Sequence, residues 1–158
     1  MTKRQEFRVL QTYSDFEMRE YQPCVIGDSM LELHFAQYLD RAQDVQAFAK
    51  NMFNIHFKIE YVNSKGEIAN YYPDFFVRTN PEHLYIVETK GIEDPDDGKK
   101  WNRLVQWCKD ATAADSQGRE FKPLYVTGDN FSEWSGQISQ FERFAELLVK
   151  EKPLTAAL

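Results

Sequence analysis

The stretch YYPDFFVRTNPEHLYIVETKG, residues 71–91, combines the composition of a buried β-sheet with three ionisable side chains. Aromatic and β-branched residues, which favour strands, fill most of it. Asp74, Glu88 and Lys90 interrupt the apolar pattern. Because a buried charge without a partner is costly, the three groups need either solvent or partners for their charges.

Turn residues separate three strand-like runs, at 57–63, 70–78 and 84–90. SKGE lies between the first two runs and TNPE between the second and third. Both segments are rich in the Gly, Pro, Asn and Ser residues of tight turns. The sequence therefore predicts an antiparallel meander.

The length of the second turn decides whether the acidic residues meet. With a three-residue loop at 80–82, Thr79 faces His83, and the same register sets Asp74 opposite Glu88. A two-residue loop would offset the strands by one residue and turn Asp74 to the other face. We take the three-residue loop as the working register.

A helix is predicted before the meander, from Asp28 to a stop at Asn51. Ser29 and Glu32 fit a capping box at its start. Its apolar stripe consists of Leu31, Phe35, Tyr38, Ala42, Val45 and Ala49.

Two further helices and a strand are predicted after the meander. Residues 98–112 form a helix, 123–129 a buried strand, and a C-terminal helix carries the apolar positions Trp134, Ile138, Phe141, Ala145 and Leu148. The resulting order, α-β-β-β-α-β-α, indicates an α/β fold with a mixed central sheet flanked by helices. The crossover through the second helix makes the strands on either side of it parallel.

Length and composition bound the class of protein. The 158 residues suit a single domain, 1–158, with an extended region at 1–27, a core at 28–150 and a flexible tail at 151–158. No apolar run is long enough to span a membrane and no signal peptide is recognisable. The two cysteines predict reduced thiols in a cytoplasmic protein. The net charge of −6 argues against an autonomous DNA-binding domain but is compatible with an acidic catalytic pocket.

Two adjacent carboxylates need a compensating charge. At a separation of ~5 Å they repel by roughly 3 kcal/mol at an effective dielectric of ~20. Hard oxygen ligands on rigid strands with a lysine beside them suit Mg²⁺, or Mn²⁺ in its place. Pro73 favours an open site because it interrupts the ladder. Spacing alone leaves another reading open, in which Asp74 ends a strand in solvent and Glu88 and Lys90 form an exposed pair.

The order of these motifs resembles the PD-(D/E)xK nuclease superfamily. The closer likeness is to the C-terminal endonuclease domain of the Res subunit of type III restriction enzymes. It covers Asp28 to Lys109 and rests on SMLELHF, FAKN, IEY, YYPDFFV, YIVETKG and a following helix that contains WC.

The resemblance implies a restriction-endonuclease-like fold and metal-dependent hydrolysis of DNA phosphodiesters. Asp74, Glu88 and the backbone carbonyl of Thr89 match the family's metal ligands. Lys90 matches the lysine that orients or deprotonates the attacking water and steadies charge at phosphorus. Glu32 matches a first-helix acid that can complete the metal shell, although a capping box explains Glu32 equally well.

The chain also departs from a complete Res subunit. It has no G-x-x-x-x-G-K-[ST] phosphate loop, so an ATP-driven motor is not carried over. The expected partners are double-stranded DNA, together with a helicase/ATPase region and a methyltransferase subunit supplied outside this chain, and no membrane. The chain is interpreted either as an excised domain or as a small stand-alone relative.

Residues beside the motifs offer weaker candidates. GIEDPDDGKK, residues 91–100, misses calcium-loop spacing and predicts a mobile acidic loop. Lys99 and Lys100 could meet a DNA phosphate, and Gln106 could face the same cleft.

Two hypotheses follow from the sequence. The first is a Mg²⁺-dependent DNA endonuclease domain of a bacterial restriction or phage-defence system. The second is a catalytically silent nuclease-fold scaffold that docks to a helicase or methyltransferase. RNA and DNA junctions stay open as substrates.

Overall fold

The computed structural model describes residues 27–51 and 55–151, and side chains from 30 to 150 within these ranges. The predicted extended region before residue 27, the predicted tail after residue 151, Cys24 and the side chain of Ser29 lie outside the described residues.

Helices and strands alternate along the described chain. In order they are α1 (Gly27–Arg41), β1 (Ala47–Lys50), β2 (Ile59–Val62), β3 (Ile68–Tyr71), β4 (Phe75–Asn80), β5 (His83–Lys90), α2 (Asp97–Ala114), β6 (Glu120–Thr127), α3 (Gly128–Trp134) and α4 (Phe141–Glu151). None of these helices combines the length and apolarity that a bilayer crossing requires.

A four-stranded sheet in the order β1-β4-β5-β6 forms the centre of the fold. β6 runs parallel to β5 after the crossover through α2, whereas β1, β4 and β5 pair antiparallel. β2 and β3 form a separate two-stranded antiparallel sheet. The predicted α/β class, with a mixed central sheet flanked by helices, is confirmed, as is the parallel pairing across the crossover.

Each face of the central sheet is covered by its own hydrophobic core. The first core joins the sheet to α1, α3 and α4, and includes the fully buried Phe35, Phe75, Val77, Phe141 and Phe144. The second core lies on the opposite face, where α2 and the β2–β3 hairpin pack, and includes Ile59, Tyr71, Ile86, Leu104 and Cys108. The end of β5 therefore lies between two layers that exclude water.

The predicted first helix is too long. α1 ends at Arg41, and the residues that continued its apolar stripe form β1, an edge strand missed in the sequence. Val45, Ala47 and Ala49 are buried. Their two-residue spacing fits a strand, whereas the four-residue spacing of Val45 and Ala49 also fits a helix. Asp44 explains why the chain leaves the helix, because its carboxylate accepts from the backbone N–H groups of Phe141 and Glu142 at 2.6 and 2.8 Å.

The predicted strand at 70–78 divides in two. β3 ends at Tyr71 and pairs with β2, and β4 begins at Phe75 and pairs with β5. Pro73 lies in the break, where its missing N–H prevents a continuous ladder. The meander thus belongs to two sheets rather than one.

The β4–β5 turn corrects the predicted loop. Asn80 pairs with His83, so the loop has two residues and Thr79 does not face His83. Thr79 is instead an extra residue between Arg78 and Asn80, which restores the expected register from Arg78 back to Phe75. A bulge therefore achieves what the three-residue loop was expected to achieve.

The predicted C-terminal helix is two helices. α3 begins directly after β6, where the Thr127 and Asn130 side chains form a capping box, and ends at Trp134. α4 begins at Phe141, where Asp44 supplies the capping carboxylate. Periodicity did not reveal this break because Trp134 and Ile138 pack against the first core on the way.

Phe35 tests the packing of the first core. Its side chain is fully buried and its ring meets that of Phe75 edge to face at 5.2 Å. Phe35→Ala should lower the free energy of unfolding by about 3–5 kcal/mol, because it leaves a cavity that rigid neighbouring rings cannot fill. Urea unfolding measures this. The control Val149→Ala, at a position 63% exposed, should change little, and an equal loss in both variants would contradict the core assignment.

Candidate active site

Asp74 lies where β4 begins, and the backbone there is irregular. Its N–H donates to the Val87 carbonyl at 2.9 Å, while Phe75 is the ladder partner of Val87. Two residues thus oppose one, which is the arrangement of a β-bulge and re-aims a side chain. The sequence predicted that Asp74 lies directly opposite Glu88 on one face of the sheet. The bulge makes the position of Asp74 less regular than that prediction. Its carboxylate accepts from the N–H and hydroxyl of Thr89, both at 2.8 Å.

Asn51 fixes the backbone on the other side of Asp74. Its N–H donates to the Asp74 carbonyl at 2.7 Å, and its side-chain amide donates to the carbonyls of Pro73 and Phe57 at 2.9 and 2.7 Å. The amide oxygen accepts from the Phe57 N–H at 3.1 Å. The sequence suggested only a helix stop here. Since Pro73 and Asp74 lie at least 22 residues away, no local pattern could have revealed these partners.

Glu88 lies on β5 beside the second core. The Tyr71 hydroxyl, at the end of β3, donates to its carboxylate at 3.0 Å. Tyr71 was predicted only as part of a strand. The ring of Tyr71 is buried among apolar residues, and its hydroxyl forms a hydrogen bond, as buried tyrosine hydroxyls usually do.

Both carboxyl groups bind protons more tightly than usual. Burial raises the pKa of Asp74 to about 6, helped by the negative charge of Glu32, although the Thr89 hydrogen bonds and Lys50 act against the shift. Burial and the charge of Asp74 raise the pKa of Glu88 to about 9, against the Tyr71 hydrogen bond and the more distant lysines. The two acids are thus close enough to interact and lack sufficient positive charge.

Lys90 is held by acids that follow it in the chain. Its ammonium lies 3.1 Å from the Asp94 carboxylate and 3.3 Å from that of the buried Asp97. Burial lowers the pKa of Lys90, but these two acids outweigh it and raise the pKa overall. Lys100 shares both partners, at 2.9 and 3.7 Å. The loop predicted to be mobile is therefore tied to the end of β5.

Glu32, the predicted first-helix acid, lies close enough to Asp74 to raise its pKa. Its carboxylate forms an ion pair with Lys50 at the end of β1. Lys50 was not singled out in the sequence, where it sat inside a predicted helix. α1 and β1 thus bring one negative and one positive group to the Asp74 side of the site.

The weaker DNA-binding candidates are dispersed. Lys99 donates to the Asn63 carbonyl of the β2–β3 turn at 3.0 Å. Gln106 donates to Asp110 one helical turn away, on an exposed part of α2. Lys100 is occupied by Asp94 and Asp97. Of the three, only Lys99 and Lys100 lie at the end of α2 that adjoins the site.

The oxygen donors fit a small divalent cation in number and type. Asp74 and Glu88 supply two carboxylates, and the Thr89 carbonyl belongs to the backbone between them and Lys90. Mg²⁺ commonly takes one or two carboxylates and completes its shell with water and phosphate. Within residues 27–51 and 55–151, no group of three or more His, Cys, Asp or Glu side chains could hold a metal ion. Glu32 is therefore not assembled with the other two acids.

Comparison with known proteins supports the fold class. The model of the family RE_endonuc, an endonuclease domain, matches residues 18–112, more than half of the chain. The mixed sheet between helices is compatible with a restriction-endonuclease-like fold. The chain belongs to the endonuclease domain family, which makes it a nuclease by class and implies that it binds DNA.

Other comparisons add little. One solved structure, the crystal structure of protein VC1899 from Vibrio cholerae, is similar with a TM-score of 0.34 and 16% sequence identity. The match covers 75% of this chain and 33% of that chain, so the chain spans a third of that protein's length. A similarity this low carries no argument. No curated protein matches the chain.

Glu88→Gln tests the electrostatics of the site. An acid whose pKa is raised on folding binds more protons in the native state, so stability falls as pH rises from its unfolded to its folded pKa. Wild-type protein should lose about 1–3 kcal/mol more than Glu88→Gln between pH 5 and pH 9. Urea unfolding across this range gives the difference, with the exposed Glu133→Gln as control. Parallel curves for wild type and Glu88→Gln would contradict the assignment.

Proposed function

We propose that the chain is a divalent-metal-dependent endodeoxyribonuclease domain that hydrolyses phosphodiester bonds at the Asp74–Glu88 site. The observation that carries the proposal is a pair of partly buried carboxyl groups, at the start of β4 and near the end of β5, each held by its own hydrogen bonds. Burial raises the pKa of both. The lysines around them are engaged with other acids. Such a pair destabilises the fold at neutral pH, and a bound dication would offset that cost.

The proposed metal ligands are Asp74, Glu88 and the Thr89 carbonyl. Mg²⁺ there, or Mn²⁺ as its substitute, would lower the pKa of a bound water and polarise a phosphoryl oxygen. The chain's own part is positional. Thr89 and the Asn51-bound backbone hold Asp74, and Tyr71 holds Glu88. Rigid placement of this kind lowers the barrier because little reorganisation is left for the reaction.

Lys90 has the role of a fixed positive charge in this proposal. Asp94 and Asp97 keep its ammonium protonated and in place, which favours stabilisation of charge at phosphorus over removal of a proton from water. This proposal selects one of the two roles that the resemblance left open. Glu32 is assigned a supporting role through the charge it places near Asp74.

The biological setting is proposed from the motifs. The P-D and E-x-K elements at Asp74, Glu88 and Lys90, in the order seen in Res subunits, support a type III-like restriction nuclease in phage defence. A helicase/ATPase region and a methyltransferase subunit would then be its partners in the cytoplasm. Double-stranded DNA is the proposed substrate.

A supercoiled-plasmid nicking assay tests the activity. Wild-type protein should nick DNA with Mg²⁺ and not with EDTA. Asp74→Asn, Glu88→Gln and Lys90→Ala should each reduce the rate by roughly 10²-fold or more, since each removes a ligand or a charge needed in the transition state. Lys109→Ala, which removes an exposed lysine of α2 that has no part in the site, is the matched control and should retain activity.

The outcomes separate catalysis from contamination and from the scaffold hypothesis. Equal metal-dependent nicking by all variants would identify a contaminant and contradict the proposed site. An inactive wild-type protein that still binds DNA, with or without the proposed partners, would favour the non-catalytic scaffold.

A further inference from the structure

Lys50 stands out among the cations around the proposed active site because of its accessibility. Its side chain is 43% exposed, compared with 17% for Lys90 and 21% for Lys100. Lys90 and Lys100 each contact two carboxylates at the start of α2. Lys50 forms its ion pair with a single acid, Glu32, among the described residues. Of these three lysines, Lys50 is therefore the one that an incoming polyanion can reach most readily.

The backbone places Lys50 beside Asp74. Lys50 is the last residue of β1 and pairs with Phe75, the residue after Asp74. The next residue, Asn51, donates from its backbone to the Asp74 carbonyl at 2.7 Å. The positive charge of Lys50 also acts to lower the pKa of Asp74. Strand pairing therefore fixes the backbone position of Lys50.

The acidic site needs such a group if DNA is to approach it. Asp74 and Glu32 bring negative charge to the place where a phosphate has to lie, and the protein has a net charge of −6. Lysine binds phosphate as a compact charge on a flexible stem. Glu32 is only 22% exposed, so the pair has one enclosed member and one accessible member.

We propose that Lys50 is a phosphate-binding residue that anchors the DNA backbone next to the cleaved bond. In the absence of DNA, Glu32 keeps the Lys50 ammonium in an ion pair. Transfer of the ammonium from the Glu32 carboxylate to a phosphate keeps the Lys50 charge paired. This inference rests on the proposed DNA endonuclease function. Of the lysines expected from the sequence, Lys99 donates to the Asn63 carbonyl and Lys100 contacts Asp94 and Asp97, whereas Lys50 lies beside Asp74.

Metal-free DNA binding tests the inference without reference to activity. Fluorescence anisotropy of a labelled duplex, in EDTA and at 20 to 200 mM KCl, gives the affinity and its salt dependence. Lys50→Gln should weaken binding and reduce the slope of log K against log salt by about 0.9, the value for one lost phosphate contact. Lys50→Arg, which keeps the charge, should retain the wild-type slope.

A double-mutant cycle tests the role of Glu32. Glu32→Gln should strengthen DNA binding roughly threefold or more, because it releases Lys50, and most of this gain should vanish in the Lys50→Gln background. The Glu120–Lys122 ion pair, at 3.6 Å and with Lys122 30% exposed, is the matched control. Lys122 pairs with Tyr85 across β5 and β6, five residues before Lys90, so its cycle should show no coupling and no change of slope.

The outcomes distinguish this inference from the proposed function. Equal affinities and slopes for Lys50→Gln, Lys122→Gln and wild type would overturn the role of Lys50 and leave the nuclease assignment intact. If Glu32→Gln still strengthens DNA binding in the Lys50→Gln background, the proposed role of Glu32 as the partner of Lys50 is overturned. Failure of every variant, including wild type, to bind DNA at 20 mM KCl would contradict both proposals. Thermal unfolding of each variant checks that it is folded.

Discussion

The burial of two neighbouring carboxyl groups is the constraint around which the end of the sheet is organised. Asp74 and Glu88 both carry pKa values raised by burial, and the charge of the first adds to the shift of the second. Burial of such a pair reduces stability unless something compensates for it. The fold accepts this cost at one place and offsets it with two extensive aromatic and aliphatic cores. Local instability of this kind is characteristic of functional sites.

Each element around the two carboxyl groups restrains a side chain or the backbone beside it. A bulge opposite Val87 turns Asp74 towards Thr89, and Asn51 secures its backbone. The β2–β3 hairpin delivers the Tyr71 hydroxyl to Glu88. The neighbouring lysines are bound to acids of their own, so positive charge surrounds the carboxylates without neutralising them. The fixed carboxylates and the shortage of positive charge beside them support the proposal that a divalent cation binds here.

The sequence predicted what depends on neighbouring residues and missed what depends on distant ones. Strand β5 and helix α2 were located to within a few residues because composition and period mark them locally. β1 was mistaken for helix because its short apolar pattern is ambiguous until β4 lies beside it. In the site, the motif resemblance selected Asp74 and Glu88. The contacts of Asn51 and the pairing of Glu32 with Lys50 come from packing between elements, which spacing does not encode.

A crystal soaked in Mn²⁺ and measured for anomalous scattering tests whether Asp74 and Glu88 bind a metal ion. We expect a strong peak at about 2.1 Å from a carboxylate oxygen of Asp74 and one of Glu88, with the Thr89 carbonyl in the same shell. A well-ordered site in which both carboxylates stay without a peak at saturating Mn²⁺, while the ion binds elsewhere, would contradict it.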